Sequence, residues 1–81
     1  MLVEVFVTPK RGVLDPQGRA VEQSLKSLGF SQVRGVRVGK YILLELTAAS
    51  ATEARQTAEA MCERLLANTL IEDYRVRVEG E

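Results

Sequence analysis

Over residues 2–8 the aliphatic positions recur with a period of two. Val3, Val5 and Val7 alternate with Glu4, Phe6 and Thr8, which predicts a strand with one aliphatic face and one mixed face. Pro9-Lys10-Arg11-Gly12 ends it, because the residue before a proline is biased away from helix and glycine punctuates. The period then lengthens. Val21, Leu25 and Leu28 fall at i, i+4 and i+7, one apolar stripe on a helix. Asp15 is a good N-cap, and Pro16 at the first helical position loses no intrahelical bond. Glu22 and Lys26 pair at i, i+4 on the solvent side. Gly29 is the expected left-handed stop, with Phe30 placed to fold back on the last turn. Gly18 costs ~1 kcal/mol against alanine inside a helix; a close backbone approach or plain tolerance accounts for it.

Residues 33–39 are expected to form a second strand, with Val36 and Val38 on one face and Arg37 on the other. Gly39-Lys40 marks a tight turn or bulge. Residues 41–46 then make a third strand, with Ile42, Leu44 and Leu46 facing one way and Tyr41, Leu43 and Glu45 the other. Tyr41 and Leu43 make that second face more apolar than a solvated face should be, a hint that both sides of the sheet are covered. Ser50-Ala51-Thr52-Glu53 is a capping box. Its helix runs to about Ala67, with Ala54, Ala58, Met61, Cys62, Leu65 and Leu66 facing inward. Asn68 can close it in the left-handed conformation. In a last strand, roughly 73–79, Tyr74, Val76 and Val78 alternate with Arg75, Arg77 and Glu79. The predicted order is β-α-β-β-α-β, an α+β two-layer sandwich. Two helices lie on one face of a four-stranded, mainly antiparallel sheet, in a single domain over residues 1–81.

Composition narrows what such a domain can do. A chain of 81 residues buries only ~60% of its unfolded surface, so domains of this size often lean on disulfides, metals or partner chains. Cys62 is the only cysteine and there is no histidine, which leaves no intrachain disulfide and no evident metal cage. Association is the support that remains. Eleven basic residues balance eleven acidic ones, so no electrostatic footprint for nucleic acid or an anionic membrane is expected. No apolar run approaches the ~20 residues that span a bilayer. Leu2-Val3-Glu4-Val5 lacks the pattern of a signal peptide, and with one unpaired thiol the expected compartment is the cytoplasm.

Few residues are candidates for chemistry. Without histidine the usual proton shuttle is missing. Cys62 sits mid-helix among apolar neighbours, away from helix N-terminal amides that would lower a thiol pKa, and reads as a packing residue. Glu72 and Asp73 are adjacent before the last strand and point to opposite faces, so they are poorly placed to share a proton or a metal. They read as solvated charge or as a partner contact. Lys10 to Gly18 holds two cations, a glycine and a helix start, a combination that could bind an anion. It is no Walker loop, and Asp15 puts a negative charge where a phosphate would sit; turn-and-cap chemistry and a partner-binding loop both fit. Arg34, Arg37 and Lys40 make residues 31–40 net positive, but Tyr41 is the only aromatic nearby. That favours a solvated edge or a protein interface over RNA stacking. Arg37, or Arg75 with Arg77, would then guard an edge strand.

Four blocks occur in order at fitting spacing: Gly12-Val13-Leu14-Asp15-Pro16-Gln17-Gly18, Val36-Arg37-Val38-Gly39-Lys40, Met61-Cys62 with Leu65-Leu66-Ala67-Asn68, and Ile71-Glu72-Asp73-Tyr74. With them the chain resembles the PurS family, the small subunits of bacterial and archaeal phosphoribosylformylglycinamidine synthase, from Val3 to Val78. Thr69 departs from it, standing where the family usually has proline.

The resemblance implies a non-catalytic subunit of a purine-biosynthetic amidotransferase, with no catalytic, cofactor or metal residues of its own. It implies a homo-dimer or tetramer that joins a large synthetase subunit, which binds ATP and magnesium, to a glutaminase subunit, and that supports ammonia transfer between them. Loops and helix ends carrying these blocks are the expected partner contacts: Lys10, Arg11, Asp15, Gln17, Arg37, Lys40, Asn68, Glu72, Asp73 and Tyr74. Two other readings share the predicted element order. One is a ferredoxin-like regulatory domain that binds a small metabolite at a dimer interface. The other is an acylphosphatase-like enzyme, for which Arg11 lies in the right region but Asn68, the only asparagine, does not.

Overall fold

A computed structural model describes residues 1–80. The valine alternation becomes β1 (Leu2–Pro9), the central strand of a three-stranded sheet of order β2-β1-β3. Both neighbours, β2 (Lys40–Glu45) and β3 (Glu72–Val78), run antiparallel to it. Val5 faces Ile42 on one side and Val76 on the other. The register therefore puts Val3, Val5 and Val7 in one aliphatic layer with Ile42, Leu44, Tyr74, Val76 and Val78, as the period of two requires.

Helix α2 (Ala51–Met61) covers that layer. Ala54, Ala58 and Cys62 recur every fourth position and are fully buried, and their small side chains let the helix lie close over β1 and β3. Its start follows the capping box with one change. Ser50 Oγ accepts from Glu53 N at 3.1 Å, while the Glu53 carboxylate reaches Ala49 N at 3.2 Å, one residue beyond the cap. The end differs from expectation. The last turn widens to a π-helical Cys62–Leu66, closed by Ala67 N donating to Cys62 O at 3.0 Å. Ala67 then turns extended, so Asn68 does not take the left-handed position, and no residue other than glycine has positive φ among the described residues. Asn68 instead shapes the following turn: its carbonyl accepts from Ile71 N and Glu72 N, and its Oδ1 from Leu70 N.

Helix α1 (Pro16–Ser27) forms as its signals predict. Asp15 caps Gly18 N at 3.0 Å, and Lys26 meets Glu22 at 3.1 Å. Gly29 takes φ +101°, with Phe30 N bonded to Leu25 O and Gly29 N to Lys26 O. That is the paired closure of a Schellman motif. Its packing is the larger departure. α1 does not join α2 on the sheet: Val21 is 41% and Leu28 74% exposed. The sheet face opposite α2 is uncovered too, leaving Tyr41 and Leu43 exposed. The described residues extend over 50 × 26 × 14 Å with a radius of gyration of 15.8 Å, against about 12 Å for a compact chain of this length.

The expected strand over residues 33–39 is absent, so the four-stranded β-α-β-β-α-β sheet is corrected to three strands. Among the described residues the outer edges of β2 and β3 pair with no further strand, and Val38 N instead donates to Asp15 Oδ2 at 2.9 Å. The segment is thereby drawn to the head of α1 and away from the ladder. Two glycines permit this path: a Cβ on Gly18 would collide with the Val36 carbonyl, and one on Gly39 with the Val7 carbonyl. Gly18 thus has its close approach, and Gly39 is a contact point rather than a bulge.

Candidate functional site

Most of the singled-out residues gather where β1 ends. Lys10 N donates to Ile71 O at 2.9 Å, which ties the loop after β1 to the loop before β3. Lys10 Nζ meets Asp73 Oδ1 at 2.8 Å, and Asn68 N donates to Glu72 Oε1 at 2.8 Å. Asp73 and Glu72 therefore serve different partners, as adjacent strand residues must. Tyr74 completes this side, its hydroxyl donating to Glu63. That hydrogen bond, with burial and the carboxylate charge, pushes the phenol up to about 12. Lys10, Glu63, Thr69, Glu72, Asp73 and Tyr74 line an open cleft of about 360 Å³.

A second cleft, about 600 Å³, lies beside it between residues 11–15, the first turn of α1 and Val36-Arg37. Asp15 is its pivot. Its two oxygens accept from Gly18 N and Val38 N, and those bonds, with Arg37 nearby, hold its carboxyl below the usual range. Arg37 donates to the Pro9 carbonyl, which locks the segment 36–38 against the end of β1. Since residue 37 is in no strand, Arg37 guards no sheet edge. Arg11 and Arg19 line the same cleft. Lys40 belongs to neither; it donates to Leu66 O at 3.3 Å, at the last helical turn. Gln17 is exposed in the first turn of α1.

On the open face of the sheet, Glu4 accepts from Arg77 Nε at 2.8 Å and from Tyr41 Oη at 2.9 Å; the Arg77 bond is the main reason its carboxyl is lowered. Arg75 stacks 4.9 Å from the Phe6 ring centre, and Phe6 lies 5.4 Å from Tyr41. These arginines thus dress a sheet face. The edge carbonyl of Val76 is instead taken by Arg55 at 2.9 Å. Arg19, Arg55 and Glu63 were not singled out from the sequence: each sits at an ordinary solvent position of a helical pattern, and only tertiary contacts set it apart. Cys62 is fully buried and its thiol is pushed up by burial, the reverse of an activated nucleophile. No helix among the described residues is long and apolar enough to cross a membrane.

Known proteins supply the frame. The profile of the family described as PurS, phosphoribosylformylglycinamidine (FGAM) synthase, matches residues 2–80. The Bacillus subtilis phosphoribosylformylglycinamidine synthase subunit PurS is 48% identical over 95% of this chain and 90% of its own length. The C2 crystal structure of B. subtilis PurS superposes with a TM-score of 0.85 at 47% identity, covering 96% of both chains. A chain of the PurLQS structure from Thermotoga maritima gives a TM-score of 0.82 at 33% identity, covering 95% of this chain and 96% of that one. The chain belongs to the PurS family of FGAM synthase subunits.

Proposed function

We propose that this chain is the small, non-catalytic subunit of an FGAM synthase. It joins the synthetase and glutaminase subunits and supports ammonia transfer between them. The observation that carries this reading is the family match over residues 2–80, supported by likeness to a chain of a PurLQS structure. Ammonia released to water at neutral pH is protonated and no longer nucleophilic, so a subunit that orders the path between two active centres raises coupling without doing chemistry. The partner contacts are assigned to the end of the molecule where Lys10, Asn68, Glu72, Asp73 and Tyr74 converge, and to the neighbouring Arg11, Asp15, Gln17, Arg37 and Lys40. Loops held rigidly by a sheet end are suited to that task.

The chain works as a homo-oligomer in the cytoplasm. The uncovered stripe of α1 and the open sheet face support the first part. Val21, Leu28, Phe30, Tyr41 and Leu43 are each at least 41% exposed, which is more apolar surface than an isolated small domain leaves in water without use. A second copy presents the same two faces, so the pairing can be isologous.

Reconstitution tests the main reading. Synthetase and glutaminase subunits from the same source are assayed with and without this chain. Glutamine-dependent turnover should depend strongly on it, and ammonia-dependent turnover much less. Equal glutamine-dependent rates in both mixtures would refute the coupling role.

A further inference from the structure

The cleft at the head of α1 has a charge pattern that coupling two subunits does not require. Arg11, Arg19 and Arg37 reach it from three separate segments, and Asp15 is its only carboxylate. Three cations less one anion leave the cleft at +2. Asp15 offsets one of the three charges and is held in place by the bonds that Gly18 N and Val38 N donate to its two oxygens. Arg37 gives a bond to the Pro9 carbonyl, while Arg11 and Arg19 make no hydrogen bond or ion pair among the described residues. Cations elsewhere are mostly engaged: Lys10 with Asp73, Lys26 with Glu22 and Arg77 with Glu4.

We propose that this cleft binds a small phosphate monoester, its phosphate held by Arg11, Arg19 and Arg37 and its organic part resting on Val13 and Leu14. Guanidinium forks match phosphate oxygens in pairs, and a tetrahedral anion accepts them from three directions where a planar carboxylate does not. The site is built from side chains and not from the helix start, since Asp15 already takes the Gly18 amide. Leu14, 75% exposed on the cleft wall, supplies the apolar surface. Arg19 lies roughly opposite the Val21, Leu25 and Leu28 stripe at about 100° per residue, so pairing of two copies through that stripe leaves the cleft open. The cleft shares Arg11, Asp15 and Arg37 with the partner contacts assigned above, and its test uses this chain alone, so failure of either reading leaves the other standing.

The experiment is a titration of the ¹⁵N-labelled full chain with phenyl phosphate at fixed ionic strength, followed by amide shifts. Saturable shifts confined to residues 11–19 and 36–38 are expected. R11Q and R19Q should each weaken binding at least fivefold. R64Q, on the other helical segment and outside the cleft, should change it less than twofold. Neither Arg11 nor Arg19 holds a structural bond, so both variants should fold, which the unperturbed remainder of the spectrum verifies. Shifts that never saturate, or that persist unchanged in R11Q and R19Q, would mean an adventitious ion only and overturn the site. Equal affinity for phenylacetate would overturn the choice of phosphate.

Discussion

The valine face of β1 is completely covered, whereas the leucine stripe of α1 stands largely open. Both arise from sound amphipathic patterns with good end signals, and both elements form. What separates them is the availability of a complementary surface within the chain. β1 is central, has two antiparallel neighbours, and shares a core with Ala54 and Ala58 of α2 and Cys62 of the π-helical turn after it. α1 is anchored at its head, through Asp15, Gly18 and Val36 to Val38. One half of the molecule is held by burial and the other by hydrogen bonds and a close backbone approach. An amphipathic pattern states that a face needs covering, and says nothing about which chain covers it.

The largest effect is expected in the covered half. Val5 has no exposed surface and sits between β2, β3 and α2. Val5→Ala should cost about 2–3 kcal/mol in chemical denaturation, from two lost methyl groups plus the cavity. A cost below about 0.5 kcal/mol would mean that this half is as loosely held as α1.

The junction between the halves comes next. Gly18→Ala drives a methyl group into the Val36 carbonyl, an overpacking expected to cost about 1–3 kcal/mol despite alanine's higher helix propensity. Loss of the Val38 amide's protection in hydrogen exchange, with β1 amides still protected, would localise the damage to the anchor. A stabilised variant would contradict the close approach.

Leu28→Asp sharpens the contrast from the open side. Leu28 is 74% exposed, so measured on dilute protein the change should alter monomer stability by under about 0.5 kcal/mol. In light scattering at higher concentration the same variant should shift the protein towards monomer. Unchanged oligomer size would remove α1 from the association surface.

The smallest effects are those of pH, and they divide between the halves. Asp15 is depressed in the folded state, chiefly by its bond from Gly18 N. Its contribution is therefore present above the ordinary carboxylate range and is lost as pH falls through its lowered value. Acid should loosen α1 first, and Asp15→Asn should flatten that limb of a stability profile. Tyr74 is raised to about 12 from 10.0, chiefly by Glu63. Its contribution is complete below pH about 10 and disappears between about 10 and 12, so alkali should act at the β3 side. Tyr74→Phe should remove that alkaline limb.

Local pattern determined much of this protein. The period of two in Val3, Val5 and Val7, the stripe of α1, the Asp15 and Ser50 caps, the Gly29 stop and the buried Cys62 were all legible, because each rests on residues within a turn or two of one another. The blocks from Gly12 to Tyr74 pointed to the PurS family for a similar reason: they are short and ordered. Residues 33–39 alternate well enough to be a strand, and the sheet has free outer edges at β2 and β3, yet Val38 N is taken by Asp15 and Arg37 by the Pro9 carbonyl, so the segment is held elsewhere. Asn68 had the composition of a left-handed cap, but a π-helical turn closed the helix through Ala67 first. Arg19 looked like any solvent-facing helical arginine until the fold set it beside Arg11 and Arg37. The bond that Val38 N donates to Asp15 spans 23 residues and the one that Lys10 Nζ donates to Asp73 spans 63, separations that no local pattern reports. Periodicity is a property of neighbours in the chain, whereas pairing, cover and the meeting of charges depend on segments far apart in it.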